Sequence, residues 1–229
     1  MKLYDKTIQL INGLFTCKEM KTYMKKTALW PDEGRNQLIF ANETAYELGG
    51  SGKAGLGGVA ITEDKGLVEG DGIYVYGPEL AEIQGDMPYA RIALIRVKEG
   101  SVEDTDHLYK LVRALEYVRY HLYPKGFMMR ISAMKNQESV RLRREDLECG
   151  LSFQEVGSMF LEAYHKLPEV EAVQLIFVTD PDFDYSEAGH ILERSEEITQ
   201  ALDHLTSKVH MDCDACKIQD ICKEVEKML

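Results

Sequence analysis

The sequence predicts an α+β or α/β domain in which a mixed β-sheet is covered by helices. Short apolar runs rich in β-branched residues, such as EAVQLIFVTD at 171–180, are typical of strands. Other segments carry apolar residues at helical spacing, and the clearest of these is 104–122. Because strands and helices are mixed along the chain, we expect the helices to pack on a sheet rather than form a separate bundle.

The elements can be predicted in chain order. Apolar and charged residues alternate at helical spacing over 3–26, which indicates one or two helices. Short β-rich runs begin at residue 37. The predicted strands are LIFA (38–41), GVAIT (58–62), GIYVYG (72–77), ARIALIRV (90–97), FMMRIS (127–132) and SVRLR (139–143), the last two paired.

Three longer helices are predicted between and after the strands. Asp104 is a candidate N-cap for the helix over 104–122. Ser152, with Glu155 three residues on, has the spacing of a capping box for a helix over 151–167. A further helix is expected over about 187–206.

The predicted organisation has three parts. They are an N-terminal helical segment at 1–36, an α/β domain at 37–206 and a short cysteine-containing segment at 207–229.

Composition excludes some functions. The net charge of −12 and the pI near 5.0 argue against nucleic acid and against an anionic membrane surface, since both require a basic face. No apolar run approaches the roughly 18 residues of a transmembrane helix, and the N-terminus lacks the apolar core of a signal peptide. We therefore expect a cytoplasmic protein.

The segment 47–62, ELGGSGKAGLGGVAIT, contains six glycines, and Gly50, Gly52 and Gly55 match the dinucleotide-binding pattern G-x-G-x-x-G. That pattern needs a helix N-terminus after the glycines, whereas a strand-like run follows here. A phosphate-binding P-loop also fails, because Ala54 stands where Ser or Thr is required. We interpret the segment as a strand connection, or as a place where two backbones approach closely.

The five cysteines do not indicate a disulfide framework, because their number is odd and no secretory signal is present. Cys213, Cys216 and Cys222 have the spacing C-x2-C-x5-C, and three thiols so close together can bind one metal or iron–sulfur centre. The fourth ligand stays open. Candidates are Cys17, Cys149, His210, Asp212, a second subunit or a non-protein group. The alternative is three reduced thiols with no metal.

The order of several short segments resembles the acetyl-CoA synthase (β/α) subunit of the carbon monoxide dehydrogenase/acetyl-CoA synthase complex. The resemblance runs from about residue 45 to 222, over that family's middle domain and the start of its metal domain. The matching segments are YELGG (46–50), VEGDGIYVYGPELAEI (68–83), MP (87–88), NQESVRLRREDLECGLSFQEVG (136–157), VQLIFVTDP (173–181) and CDACKIQDIC (213–222).

The resemblance implies a metal centre at the C-terminus. In that family, cysteines opening the metal domain ligate the nickel–iron–sulfur A-cluster, and Cys213, Cys216 and Cys222 fall where that series begins. The chain ends at Leu229, so the later cysteines, including a Cys-Gly-Cys, have no counterpart, and the second spacing is shorter than the family's. We therefore expect a simpler centre, such as a [4Fe–4S] cluster with an external fourth ligand, with zinc as the alternative, and no complete acetyl-CoA synthase activity.

The resemblance also implies a cationic surface, because the family's middle domain is arginine-rich and is thought to lie along the approach of coenzyme A and protein partners. The candidates here are Arg130, Arg141, Arg143 and Arg144. Alternation in SVRLR predicts Arg141 and Arg143 on the face opposite Val140 and Leu142. Arginine can form paired hydrogen bonds to phosphate or carboxylate. The alternative is ordinary ion pairing with the chain's 39 acidic residues.

These observations lead to three functional hypotheses. The first is an accessory protein related to acetyl-CoA synthase, acting in anaerobic one-carbon or corrinoid-linked metabolism by electron transfer, assembly or docking. Its partners would be a corrinoid protein, a ferredoxin or a carbon monoxide dehydrogenase-type protein, and a homo-oligomer is compatible with it. The second is a metal-free or zinc-binding interaction module, and the third is a coenzyme A-binding subunit of a larger enzyme.

Overall fold

A computed structural model of the chain describes residues 2–102, 104–132, 136–207 and 216–228. Within these ranges the protein is an α+β structure with two sheets. The strands are β1 (Lys21–Tyr23), β2 (Thr44–Leu48), β3 (Gly55–Thr62), β4 (Gly72–Tyr76), β5 (Tyr89–Val97), β6 (Phe127–Ser132), β7 (Gln137–Arg143) and β8 (Val170–Val178). The helices are α1 (Asp5–Leu14), α2 (Thr105–Tyr120), α3 (Arg144–Glu148), α4 (Phe153–Tyr164), α5 (Tyr185–Thr206) and α6 (Gln219–Met228), with a 3-10 turn at Leu80–Glu82.

The larger sheet has five strands in the order β1-β4-β8-β5-β3. Its pairing is mixed: β3 with β5 and β4 with β8 are parallel, whereas β5 with β8 and β1 with β4 are antiparallel. All nine residues of β5 are buried, as expected for an apolar strand that is paired on both sides and covered on both faces.

The smaller sheet is antiparallel, with the order β2-β7-β6. Burial alternates strictly along β7, where Glu138, Val140 and Leu142 are buried and the residues between them are partly exposed. This alternation confirms the prediction for SVRLR and divides the small sheet into an inward face and an outward face.

Two glycines in β3 allow this strand to pack closely against the small sheet on one face and against helix α5 on the other. Gly57 lies against the side chain of Glu138 on the small sheet, and the next residue, Gly58, lies under Leu192 of α5. Successive strand residues point to opposite faces, so β3 is covered by the small sheet on one side and by α5 on the other. A side chain at either glycine would push these layers apart.

Most of the predicted elements are confirmed. The α+β class, the six strand predictions other than 38–41 and the three long helices all have counterparts in the structure. The side chain of Asp104 accepts from the His107 amide, and Ser152 Oγ accepts from the Glu155 amide. The Glu155 carboxylate, however, is paired with Lys26 instead of completing a capping box.

One prediction near the N-terminal end is wrong. The run 38–41 is not a strand: the Ile39 amide donates to Met128 Sδ and its carbonyl accepts from Arg141, so side chains rather than a neighbouring strand satisfy its backbone. Of the one or two helices predicted over 3–26, the structure has one, α1. Helix α1 is followed by Cys17 in the left-handed region (φ 62°), and β1 then joins the large sheet.

The N-terminal segment shares the core of the sheet domain. Ile8 and Ile11 of α1 are completely buried in the same apolar cluster as the strands of the large sheet. Within the described part of the chain, no helix combines the length and the apolar character needed to cross a membrane.

Candidate functional site

An open cleft of about 700 Å³ lies between the glycine-rich loop that follows β2 and the hairpin formed by β6 and β7. We call it the loop–hairpin cleft. Its described lining residues are Gly49, Gly50, Gly52, Lys53, Ala54, Gly55, Leu56, Arg130, Ile131, Ser132, Gln137, Glu138 and Ser139.

The glycines bring the loop onto the backbone of β7. A Cβ at Gly49 would lie 2.6 Å from the Glu138 carbonyl oxygen, and one at Gly55 would lie 2.3 Å from the same atom. Each distance is shorter than any tolerated contact, so these positions admit only glycine without movement of the backbone. The close approach expected from the sequence is therefore confirmed, and it forms one wall of the cleft.

A buried cluster of three charged side chains lies behind this wall of the cleft. Arg91 of β5 forms a bidentate pair with the Glu138 carboxylate, with Nε–Oε1 at 2.6 Å and Nη2–Oε2 at 2.9 Å. Arg119 of α2 approaches the same carboxylate, its Nε lying 3.5 Å from Oε2. The side chains of Arg91, Arg119 and Glu138 are exposed by only 2%, 4% and 0%. One carboxylate is therefore shared by two buried cations.

The cluster holds more positive than negative charge. Burial by itself would lower the pKa of Arg91, but the charge and hydrogen bonds of Glu138 outweigh it and raise that pKa. The Arg91 guanidinium also stacks over the Phe160 ring, with its carbon 4.1 Å from the ring centre. Among the described residues, Nε and Nη2 of Arg119 have no hydrogen-bond partner. Glu138 is thus neutralised and does not make the cleft repel anions.

Two cations line the cleft itself. Arg130 of β6 has a side chain that is 43% exposed, and Lys53 stands on the exposed turn of the loop. Burial and the positive charge of Arg141 lower the pKa of Arg130. A bound anion would offset both effects. Lys53 forms no ion pair with any residue that the structure describes.

Hydroxyl groups complete the polar lining. Ser139 of β7 is the direct cross-strand partner of Arg130, and Ser132 follows two residues later on the same face of β6. Because Ser and Arg donate hydrogen bonds, the cleft offers donors and positive charge to an acceptor group.

The four arginines predicted as a ligand-binding patch do not form one group. Arg141 lies beside the cleft, where its Nε is 3.8 Å from Glu47 Oε1. Arg143 and Arg144 lie at the opposite end of β7, where Arg143 pairs with Asp146 at 3.4 Å and Arg144 donates to the Thr44 carbonyl. Of the four, only Arg130 lines the cleft.

The predicted metal ligands are only partly described. Cys213 lies outside the described residues, whereas Cys216 and Cys222 are both partly exposed and pack against the apolar core. Cys222 lies in the first turn of α6. Among the described residues, no group of three or more His, Cys, Asp or Glu side chains is arranged to hold a metal ion.

Helix α6 is anchored to the domain. Arg194 of α5 donates two hydrogen bonds to the Glu224 carboxylate, at 2.8 and 2.7 Å, and Val225 is fully buried. The segment that carries Cys216 and Cys222 is therefore held against α5 by both an ion pair and apolar contacts.

No protein-family model matches this chain, and a search of the curated proteins finds no match. The residues themselves must therefore support any functional conclusion.

Sequence reasoning missed Lys53, Glu47 and Ser139 as components of a site. Lys53 lies inside the glycine run, where neither nucleotide-binding pattern is satisfied. Ser139 belongs to the same alternation that placed Arg141 outward, so that pattern predicted its face although not its proximity to the loop.

Proposed function

We propose that this chain is an accessory protein related to acetyl-CoA synthase and that its sheet domain binds a small phosphate-bearing ligand in the loop–hairpin cleft. The observation that carries the proposal is the joint position of Lys53 and Arg130 on the two walls of one open cleft. Coenzyme A is the candidate ligand that the family resemblance implies.

The chemistry of the cleft supports an anion rather than a neutral ligand. Arg130 and Lys53 supply positive charge, and Ser132 and Ser139 supply hydroxyl donors. A guanidinium group forms charge-assisted hydrogen bonds to phosphate that are about twice as strong as neutral ones. The protein as a whole carries a net charge of −12, so binding at this cleft depends on local cations rather than on the overall field.

Replacing Arg130 by methionine is expected to weaken the binding of coenzyme A and of pyrophosphate by tenfold or more. A hydrogen bond to a charged group contributes about 1.5–3 kcal/mol, and about 1.4 kcal/mol corresponds to a factor of ten in affinity. Isothermal titration calorimetry of the wild type and the variant at one fixed, low salt concentration measures the change.

Arg35 offers a matched control, because it is an exposed arginine outside the cleft lining. Arg35→Met removes the same charge and should leave the affinity unchanged. Equal losses in the two variants would show that only the overall charge matters. A wild type that binds neither compound at millimolar concentration would contradict the proposal.

A second candidate function concerns a metal centre at the C-terminus, and it is favoured by the anchoring of α6. We propose that Cys213, Cys216 and Cys222 hold an iron–sulfur centre, with zinc as the alternative metal. Such a centre would serve electron transfer, assembly or docking in anaerobic one-carbon metabolism, with a corrinoid protein, a ferredoxin or a carbon monoxide dehydrogenase-type protein as partner. Helix α6, which contains Cys222, is held against α5, and this supports a fixed position for the Cys222 ligand.

Cys216→Ser is expected to abolish metal binding, because a three-thiolate set cannot hold a cluster after one ligand is lost. Iron, sulfide and zinc analysis of protein purified without oxygen, together with electron paramagnetic resonance, measures the loss. Cys17→Ser and Cys149→Ser are prepared in parallel. Each of these variants should lose metal only if the cysteine that it replaces supplies the fourth ligand. Stoichiometric zinc, or no metal in the wild type, would contradict the iron–sulfur centre and leave the interaction module.

A further inference from the structure

Glu47 of β2 lies beside the loop–hairpin cleft, against the arginine that lines it. Its carboxylate contacts Arg130, lies 3.8 Å from Arg141 Nε, and accepts a hydrogen bond of 3.0 Å from Ser51 Oγ. The side chain is only 13% exposed. One carboxylate from the chain itself therefore already satisfies the guanidinium group that lines the cleft.

The loop is shaped to receive this carboxylate. Glu47 is the direct cross-strand partner of Arg141, so both side chains lie on the outward face of the small sheet. A Cβ at Gly50 would lie 2.4 Å from Glu47 Oε1, so the absence of a side chain at Gly50 leaves room for the carboxylate to fold against the loop. Ser51, with φ 53°, then directs its hydroxyl to the other carboxylate oxygen.

We infer that Glu47 is a resident counter-anion, which a ligand's anionic group must displace from Arg130 before it binds in the cleft. This inference rests on the proposed function, because it assigns a regulatory residue to the same site. Glu47 is a positioning residue that acts through Arg130. Before displacement it holds the Arg130 and Arg141 side chains close together, although their like charges repel.

The exchange sets a requirement for the ligand. Glu47 is tethered next to Arg130, so its effective concentration there is far above that of a free carboxylate. A monoanionic carboxylate in solution offers Arg130 nothing that Glu47 does not already provide. A pyrophosphate group carries more charge and more acceptor oxygens, and it can contact Lys53 as well as Arg130. The cleft is therefore selective for multiply charged anions.

Glu47→Gln tests the inference, because it preserves the shape of the side chain and removes the charge that competes with the ligand. We expect the variant to bind pyrophosphate about tenfold more tightly than the wild type in calorimetric titrations at the same salt concentration. Glu148→Gln is the matched control, since Glu148 is exposed on α3 and its loss changes the net charge equally. Its affinity should equal that of the wild type.

The outcomes separate the inference from the proposed function. Tighter binding by Glu47→Gln alone supports the inference. Binding by this variant when the wild type shows none overturns both the inference and the proposed function, because no ligand would then displace Glu47. A wild type that binds, with equal or weaker binding by Glu47→Gln, overturns the inference and leaves the proposed function intact, because Glu47 would then only support the arginines. Absence of binding by both proteins, each folded by circular dichroism, overturns both.

Discussion

Replacing Glu138 by glutamine is expected to lower the free energy of unfolding by about 3–5 kcal/mol. Removing one partner of a buried ion pair leaves the remaining charge without compensation. Here two cations would lose their counter-ion, because Arg91 and Arg119 are both almost fully buried and share this carboxylate. Nε and Nη2 of Arg119 have no hydrogen-bond partner among the described residues, so the nearby Glu138 charge is what offsets the burial of this cation. Urea unfolding followed by circular dichroism measures the change.

Glu148→Gln also serves as the control for this prediction, since it makes the same chemical change at an exposed position. Surface substitutions of this kind usually alter stability by less than about 0.5 kcal/mol. A loss of under 1 kcal/mol for Glu138→Gln would contradict the role of the cluster in joining the small sheet to β5 and α2.

Replacing Gly55 by alanine is expected to destabilise the protein by about 1–3 kcal/mol, the usual cost of forcing an added group into a packed site. The new methyl group would lie 2.3 Å from the Glu138 carbonyl oxygen and 2.5 Å from that of Gly49. Both contacts are with backbone, so no side-chain rotation relieves them. The loop must move away from β7, and the affinity of the cleft for pyrophosphate should fall together with the stability.

Gly70→Ala is the control for the loop substitution, because no atom lies within 4 Å of a Cβ at that position. It should leave both stability and pyrophosphate affinity close to the wild-type values. If Gly55→Ala were as stable as Gly70→Ala, the close contact between the loop and β7 would not exist in solution.

The local pattern of residues was sufficient to predict most of the fold. The apolar run of β8, the helical spacing of α2 and the alternation in β7 each depend on neighbours within a few residues, and the structure confirms all three. The strand prediction for 38–41 was wrong because this run has a strand-like composition but pairs with no neighbouring strand. Strand pairing depends on the whole fold and not on local composition.

The candidate site was less predictable because it is assembled across the sheet. Lys53 and Arg130 are 77 positions apart in the sequence, and the packing of β3 under the small sheet brings them to one cleft. The outward direction of Arg141 followed from alternation, whereas its partner Glu47 depends on the register of β2 with β7. Because β2 and β7 are not joined by a hairpin turn, the local pattern predicts the face of each residue but not the residue that it opposes on the other strand.

The central claim, that the loop–hairpin cleft binds a phosphate-bearing ligand, is tested most directly by titrating pyrophosphate into isotope-labelled protein and following the backbone amide signals. We expect the largest shifts at the amides of Gly52, Lys53 and Ser132, with the signals of α6 unchanged. Saturable shifts confined to another surface, or no shifts at millimolar pyrophosphate, would contradict it.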